Sequence, residues 1–197
     1  LSEVIGTPAA SLELVSPYFV PTAAGVEAFT ALAESGVDIR VLTNSLEATD
    51  VSAVHAGYAK RRKDLLSAGI QLYEMRATAD SVERNKSAGP FGSSGSSLHA
   101  KTFAVDQERV FVGSFNFDPR SANLNTELGF VIESPVLAKA VAHAFATRVP
   151  EGAYQVKLDQ SGDLYWVEEF AEGERLYRKE PGVGVVKRWG VSLLSWL

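Results

Sequence analysis

"SLELVSPYFVPTAAGVEAFTALAESGVDIRVLTN", residues 11–44, reads as one β-α-β unit, and that unit decides the fold. Leu12 and Leu14 alternate with polar residues until Pro17 and Pro21 break the pattern, as where a strand runs into an ordered loop. Thr22 can cap the helix that follows, because apolar side chains recur at helical spacing from there and stop at Gly36. "VDIRVLTN" is then a buried strand. Two strands joined through a helix are expected to pair in parallel with a right-handed crossover.

The cycle repeats outward. "TDVSAVHAGYAKRRKDLLSAG" predicts a helix capped by Thr49 or Asp50 and ending at Gly69, and "IQLYEM" supplies the next strand. Residues 77–97, rich in Ala, Ser, Gly and charge, lack periodicity and predict a mobile loop. "KTFAVD" and "RVFVGSF" are strands joined by "DQE", a connection suited to a hairpin. "TELGFVI" is a further strand, and "PVLAKAVAHAFATR" a helix with proline in its first turn. Residues 1–150 therefore predict an α/β domain, a mixed and mostly parallel sheet flanked by helices. Residues 151–197 predict an extension: a small β-meander around "QSGD" and "AEGE", then an amphipathic helix in "VVKRWGVSLLSWL". On that helix Val186, Trp189, Leu193, Trp196 and Leu197 gather on one side with Lys187 and Arg188 at the edge, a pattern that suits an anionic membrane surface.

The chain has 197 residues, 46% of them hydrophobic, enough for one sizeable core. A formal charge of −5 gives no global basic field of the kind that drives nonspecific nucleic-acid binding. Cysteine is absent, which removes disulfides, thiol nucleophiles and thiolate metal sites together. The chain opens at Leu1 and its single methionine is Met75, so the natural start is expected upstream.

The chemistry concentrates in two stretches. "SLHAKTFAVD", residues 97–106, sets His99 and Lys101 two apart, so in a strand they share a face with Phe103. "VGSFNFDPRSANLNTELGF", residues 112–130, ends a strand in small polar groups, with Ser114 and Asn116 again two apart. Hydroxyl, amide and ammonium groups hold phosphate oxygens, and small side chains let an anion approach the backbone. Glu127, on the next strand, can accept an imidazole Nδ1 proton and leave the Nε2 lone pair free, and an imidazole so oriented is a competent nucleophile. His55 and His143 lack a following x-K and sit on predicted helices, where packing or surface exposure explains them. "KRRK", residues 60–63, reads as the solvated face of a helix, and Tyr18 and Phe19 as packing at a strand end.

"HAKTFAVD" fits H-x-K-x4-D, and with "GSFN" and Glu127 it resembles the phospholipase D superfamily. "SPYFVPT", "LTNSLEATDVSAVHAGYAKRRKDLL" and "VFVGSFNFDPRSANLNTELGFVI" extend the likeness over the whole chain, to the second half of the bacterial cardiolipin synthases and most closely their C-type members. The resemblance implies a phospholipase D-like half and a phosphatidyl transfer between phospholipids through a phosphohistidine-type intermediate. It assigns His99 to catalysis, Lys101 and Asn116 to phosphate oxygens with Ser114 in support, Glu127 to orienting His99, and Asp106 to a structural role. It implies no metal and no other cofactor. Its substrates would be phosphatidylglycerol and a second phospholipid, its setting the bacterial inner membrane, attached peripherally. Members use two H-x-K motifs, so the partner would be a missing N-terminal half carrying the second motif, or a second copy of the chain. A nuclease-like phosphodiesterase of the same superfamily and a noncatalytic half are the rival readings.

Overall fold

The computed structural model describes residues 6–49, 51–77 and 98–184. The alternative cap Asp50, the predicted tail helix and all of the predicted loop at 77–97 except Ala77 lie outside the described residues. Nine strands of the described residues form one sheet: β1 (Ser11–Val15), β2 (Asp38–Asn44), β3 (Gln71–Met75), β4 (Thr102–Val105), β5 (Arg109–Gly113), β6 (Gly129–Glu133), β7 (Ala153–Leu158), β8 (Leu164–Phe170) and β9 (Gly173–Tyr177). Their spatial order is β6-β5-β4-β1-β2-β3-β7-β8-β9. Among the described residues six helices accompany them: α1 (Ala23–Glu34), α2 (Ser52–Ala59), α3 (Arg62–Ser67), α4 (Pro119–Asn123), α5 (Pro135–Ala146) and α6 (Arg148–Gly152). Among the described residues no helix is long and apolar enough to cross a membrane.

The opening β-α-β unit forms as read. Thr22 Oγ1 accepts the Gly25 N–H at 3.1 Å to cap α1, Gly36 follows the helix at φ +96°, and β1 and β2 pair in parallel. β2 and β3 are also parallel. The expectation of a mostly parallel sheet is corrected, because the other six pairings are antiparallel. Short turns such as Asp106–Glu108 can only fold the chain back on itself, and β4 and β7, each reached by a long connection, settle antiparallel to β1 and β3. The predicted meander does not stand apart from the sheet, since β7 pairs with β3 and carries β8 and β9 beyond it.

The second crossover departs from its reading. Thr49 does not cap it: Val51 is the N-cap of α2 and makes no side-chain bond there. At Lys60–Arg61 the ladder tightens, with Arg61 N–H bonded to Tyr58 O at 2.8 Å, and the predicted single helix becomes α2 and α3. His55, Tyr58, Arg62 and Leu65 still form one inward stripe, all of them buried. Arg62 is thus no part of a solvated face. Its Nε lies 2.9 Å from Glu74 and its terminal nitrogen 2.6 Å from Glu180, and the guanidinium sits over the rings of Tyr58 and Trp166. Burial pushes the Glu180 carboxyl up, but the His55 contact and the Arg62 charge outweigh it and hold the pKa at about 2.

Two apolar layers fix the sheet. One face carries Leu12, Leu14, Ile39, Val41, Leu72, Phe103 and Phe111 beneath Val26 and Phe29 of α1 and Leu65 of α3. The other carries Leu42 and Tyr73 against Phe145 and Val149, and Leu98 belongs to that cluster. Burial of Leu98 fixes the chain at the residue before His99.

Candidate active site

β4 begins at Thr102, so His99 and Lys101 precede it rather than lie within it. The alternation expected from the sequence is resolved into three depths: Phe103 is buried, Lys101 half-buried and His99 exposed. The His99 imidazole makes no hydrogen bond to a described residue, while its backbone carbonyl accepts from Lys101 Nζ at 3.2 Å. Partial burial pushes the Lys101 ammonium down in pKa, and the nearby Glu127 charge acts against that shift.

Cross-strand register brings the second stretch to the same place. Gly113 N–H bonds to Lys101 O at 3.2 Å, extending the β4–β5 ladder. Ser114 N–H bonds to Leu128 O at 2.8 Å, and Ser114 Oγ accepts the Leu128 N–H at 3.0 Å while donating to Glu127 Oε2. Asn125 donates to the other carboxylate oxygen at 3.2 Å. The Ser114 bond, with lesser help from Asn125 and the Lys101 charge, outweighs desolvation and holds the Glu127 carboxyl below the usual glutamate range. Asn116 Oδ1 is buried and has no hydrogen-bond partner among the described residues. A buried polar atom left unpaired is costly unless something binds it.

Lys101, Ser114 and Glu127 therefore come together. The expected Glu127–His99 bond is not formed: the Glu127 carboxylate accepts from Ser114 and Asn125, with Ser121 a further contributor, and not from His99. Gly113 is small for packing reasons as well: a Cβ there would lie 2.7 Å from the Phe111 ring and 2.5 Å from Leu128 O.

Asp106 lies at the far end of β4. At about 3.3 Å per residue it is roughly 16 Å along the strand from Lys101. Its carboxylate accepts the backbone N–H groups of Ala9 at 3.0 Å, Ala10 at 2.7 Å and Ser11 at 3.0 Å, pinning the start of β1. Burial raises the Asp106 pKa, but these bonds more than offset it and leave the carboxyl below its usual value. His55 is buried in the Arg62 cluster, and His143 is exposed on α5.

The sequence reading does not single out Ser16 or Asn44. Both are buried polar residues at the C-terminal ends of β1 and β2, beside the His99 segment. Short polar side chains after a strand are too common to mark a site, and the burial that distinguishes them is a property of the fold.

Residues 1–149 match the family model described as "Cardiolipin synthase, PLD-like domain". The chain is 47% identical over 197 residues to cardiolipin synthase C of Escherichia coli (strain K12), covering 100% of this chain and 42% of that protein. It is 26% identical over 171 residues to a cardiolipin synthase of Staphylococcus aureus (strain Mu50), covering 87% of this chain and 30% of that protein. It thus spans less than half the length of these curated relatives. In fold it is similar to Nuc from Salmonella typhimurium, a phospholipase D family member, with a TM-score of 0.55 at 20% identity over 79% of this chain and 87% of that one. A phosphatidylserine synthase from Haemophilus influenzae Rd KW20 also has a TM-score of 0.55, at 13% identity over 95% of this chain and 38% of that one.

Proposed function

Because the chain belongs to the family of cardiolipin synthase, phospholipase D-like domains, we propose that it is one catalytic half of a phosphatidyltransferase that makes cardiolipin at a membrane surface. The observation that carries this reading is the pocket itself: an exposed imidazole with no bond to a described residue, beside a partly desolvated ammonium that the Glu127 carboxylate faces. Lys101 and the Asn116 amide nitrogen hold phosphate oxygens. Ser114 supports them, and Glu127 fixes the Ser114 hydroxyl and keeps Lys101 charged.

The transfer needs two imidazoles. One attacks phosphorus, so that a P–N bond forms as the P–O bond to the leaving alcohol breaks, and the other gives that oxygen its proton. The headgroup hydroxyl of phosphatidylglycerol then attacks phosphorus, yields its proton to the second imidazole, and releases the first. His99 supplies one of the two. The other comes from a second half of the same kind, and the surface that suits it adjoins the pocket. β6 is an edge strand exposed along its length, and with Val112, Leu128, Phe130 and Leu137 it presents an apolar face next to Ser114 and Glu127. In this reading residues 1–150 carry the catalytic half and residues 151–197 form its extension, of which β7 to β9 lengthen the sheet.

The test is a phosphatidyl-transfer assay on phosphatidylglycerol vesicles, with the chain alone and with a polypeptide supplying a second H-x-K motif, and with single-stranded DNA as a parallel substrate. Transfer is expected only with the partner and only with His99 intact. Turnover by His99→Ala, or robust turnover by a strict monomer, would overturn the two-imidazole scheme, and cleavage of DNA without transfer on vesicles would replace it with a nuclease.

A further inference from the structure

We infer that Ser16 and Asn44 are positioning residues that hold the His99–Lys101 segment and the Ser114–Asn116 segment at a fixed separation, an inference that rests on the phosphate-pocket reading above. The two segments reach the pocket from opposite sides of the corner Pro17–Val20. Each is tied to that corner by a buried polar side chain one strand end away. Asn44, 2% exposed, donates its amide to Pro17 O and to Leu98 O, both at 3.4 Å, and Leu98 is the residue before His99. Ser16, 0% exposed, donates its hydroxyl to Tyr18 O at 2.8 Å and accepts the Phe117 N–H at 3.2 Å, and Phe117 is the residue after Asn116.

The corner between them is itself braced. Val20 N–H bonds to Phe117 O at 2.6 Å, Phe19 and Phe117 form a parallel β-bridge, and their rings lie 5.6 Å apart. Thr43 Oγ1 adds a second donor to Pro17 O at 3.4 Å. The result is a bracket: Leu98, Asn44, Pro17, Ser16 and Phe117 in one connected chain of bonds. Phosphate must be held by Lys101 from one segment and by Asn116 from the other, so the bracket sets the width of the anion site. Misplacement on the order of an ångström is known to cost up to about a hundredfold where geometry is limiting.

Asn44→Asp removes both donors without changing size and sets a carboxylate against two carbonyl oxygens. Ser16→Ala removes one donor and one acceptor, and Ser16→Thr restores the hydroxyl. With three histidines in the chain, the His99 imidazole resonance is assigned by its loss in His99→Gln. Inorganic phosphate is then titrated into the full 197-residue chain. The wild-type His99 resonance should shift saturably, whereas Asn44→Asp and Ser16→Ala should bind phosphate about tenfold more weakly. In both variants the His143 resonance should stay in place, and Ser16→Thr should recover most of the affinity. Should Asn44→Asp fail to fold, the Ser16 pair decides alone. Folded variants whose phosphate affinity stays within twofold of wild type, with an unmoved His99 resonance, would overturn the positioning role. A wild-type chain whose His99 ignores phosphate would instead overturn the pocket reading on which the role depends.

Discussion

Replacing Asp106 should damage the fold and spare the chemistry. The carboxylate receives three backbone N–H groups, from Ala9, Ala10 and Ser11, of which only the Ser11 bond is partly buried. Bonds to a charged acceptor are worth about 1.5–3 kcal/mol when shielded and less where water competes, so the set contributes about 2–3 kcal/mol. Asp106 also stands at φ +54°, where alanine adds about 1 kcal/mol of strain that asparagine largely avoids. Asp106→Ala should therefore cost about 3–4 kcal/mol and Asp106→Asn about half as much, since the amide keeps one acceptor. Urea unfolding followed by intrinsic tryptophan fluorescence, to which the buried Trp166 contributes, reads this. At about 2 kcal/mol per molar urea the midpoint of Asp106→Ala should fall by roughly 1.5–2 M. Because the folded carboxyl titrates below its ordinary value of 3.8, its contribution is complete above that pH and is lost as the carboxyl protonates on further acidification. The gap between wild type and Asp106→Asn should close there. The His99 response to phosphate should be unchanged in the folded variants. An Asp106→Asn protein with a wild-type midpoint but no His99 response would refute the reasoning and put Asp106 in the chemistry.

Two further outcomes follow from the other end of the sheet. Glu180, held at about pKa 2 by His55 and Arg62 against a reference of 4.5, stabilises the fold fully above pH 4.5 and loses that contribution as the pH falls toward 2; Glu180→Gln should flatten the acid limb of the stability profile, measured by intrinsic tryptophan fluorescence, and an unchanged limb would free Glu180 from that role. Ending the chain at residue 150 should abolish cooperative folding, because it bares the β3 edge and takes Trp166 and Glu180 from the Glu74–Arg62 pair; a sharp thermal transition by circular dichroism in the truncated chain would contradict this.

The legible part of this fold was written locally. Thr22, Gly36 and the apolar spacing between them define α1 without help from anything distant, and Ser134 with Pro135 does the same for α5, where the serine hydroxyl accepts the Leu137 N–H at 3.4 Å. The balance of parallel and antiparallel pairing was not written locally. It depends on which strand β4 and β7 settle beside, and no residue in either strand states that it will lie next to β1 or β3. Arg62 shows the same limit at one residue. In the sequence it is the third of four basic residues and indistinguishable from its neighbours; in the fold it is buried because Glu74 and Glu180, 12 and 118 positions away, converge on it. The site divides along the same line. His99, Lys101, Ser114 and Glu127 were legible as residue types at fixed short spacings, whereas the partner of Glu127 is Ser114 rather than His99 because register, not spacing, decides which oxygen meets which donor.

The spacing H-x-K-x4-D then acquires a mechanical meaning. Phe103, Ala104 and Val105 between the lysine and the aspartate are each at most 1% exposed, so the strand that joins them is clamped between the two apolar layers. One end is anchored by Leu98 under the Asn44 amide, and the other by Asp106 on the backbone of Ala9 to Ser11. Four intervening residues are what the chain needs to run from Lys101 at the pocket end to Asp106 at the anchored end, about 16 Å at strand rise. One residue more or fewer would turn Phe103 and Lys101 to the opposite face, because side chains alternate with a period of two. The aspartate thus stabilises a register that the buried Phe103, Ala104 and Val105 specify, so any variant that still folds keeps the ammonium of Lys101, two residues from the imidazole, facing Glu127 and the end of β5 rather than the apolar layer beneath α5.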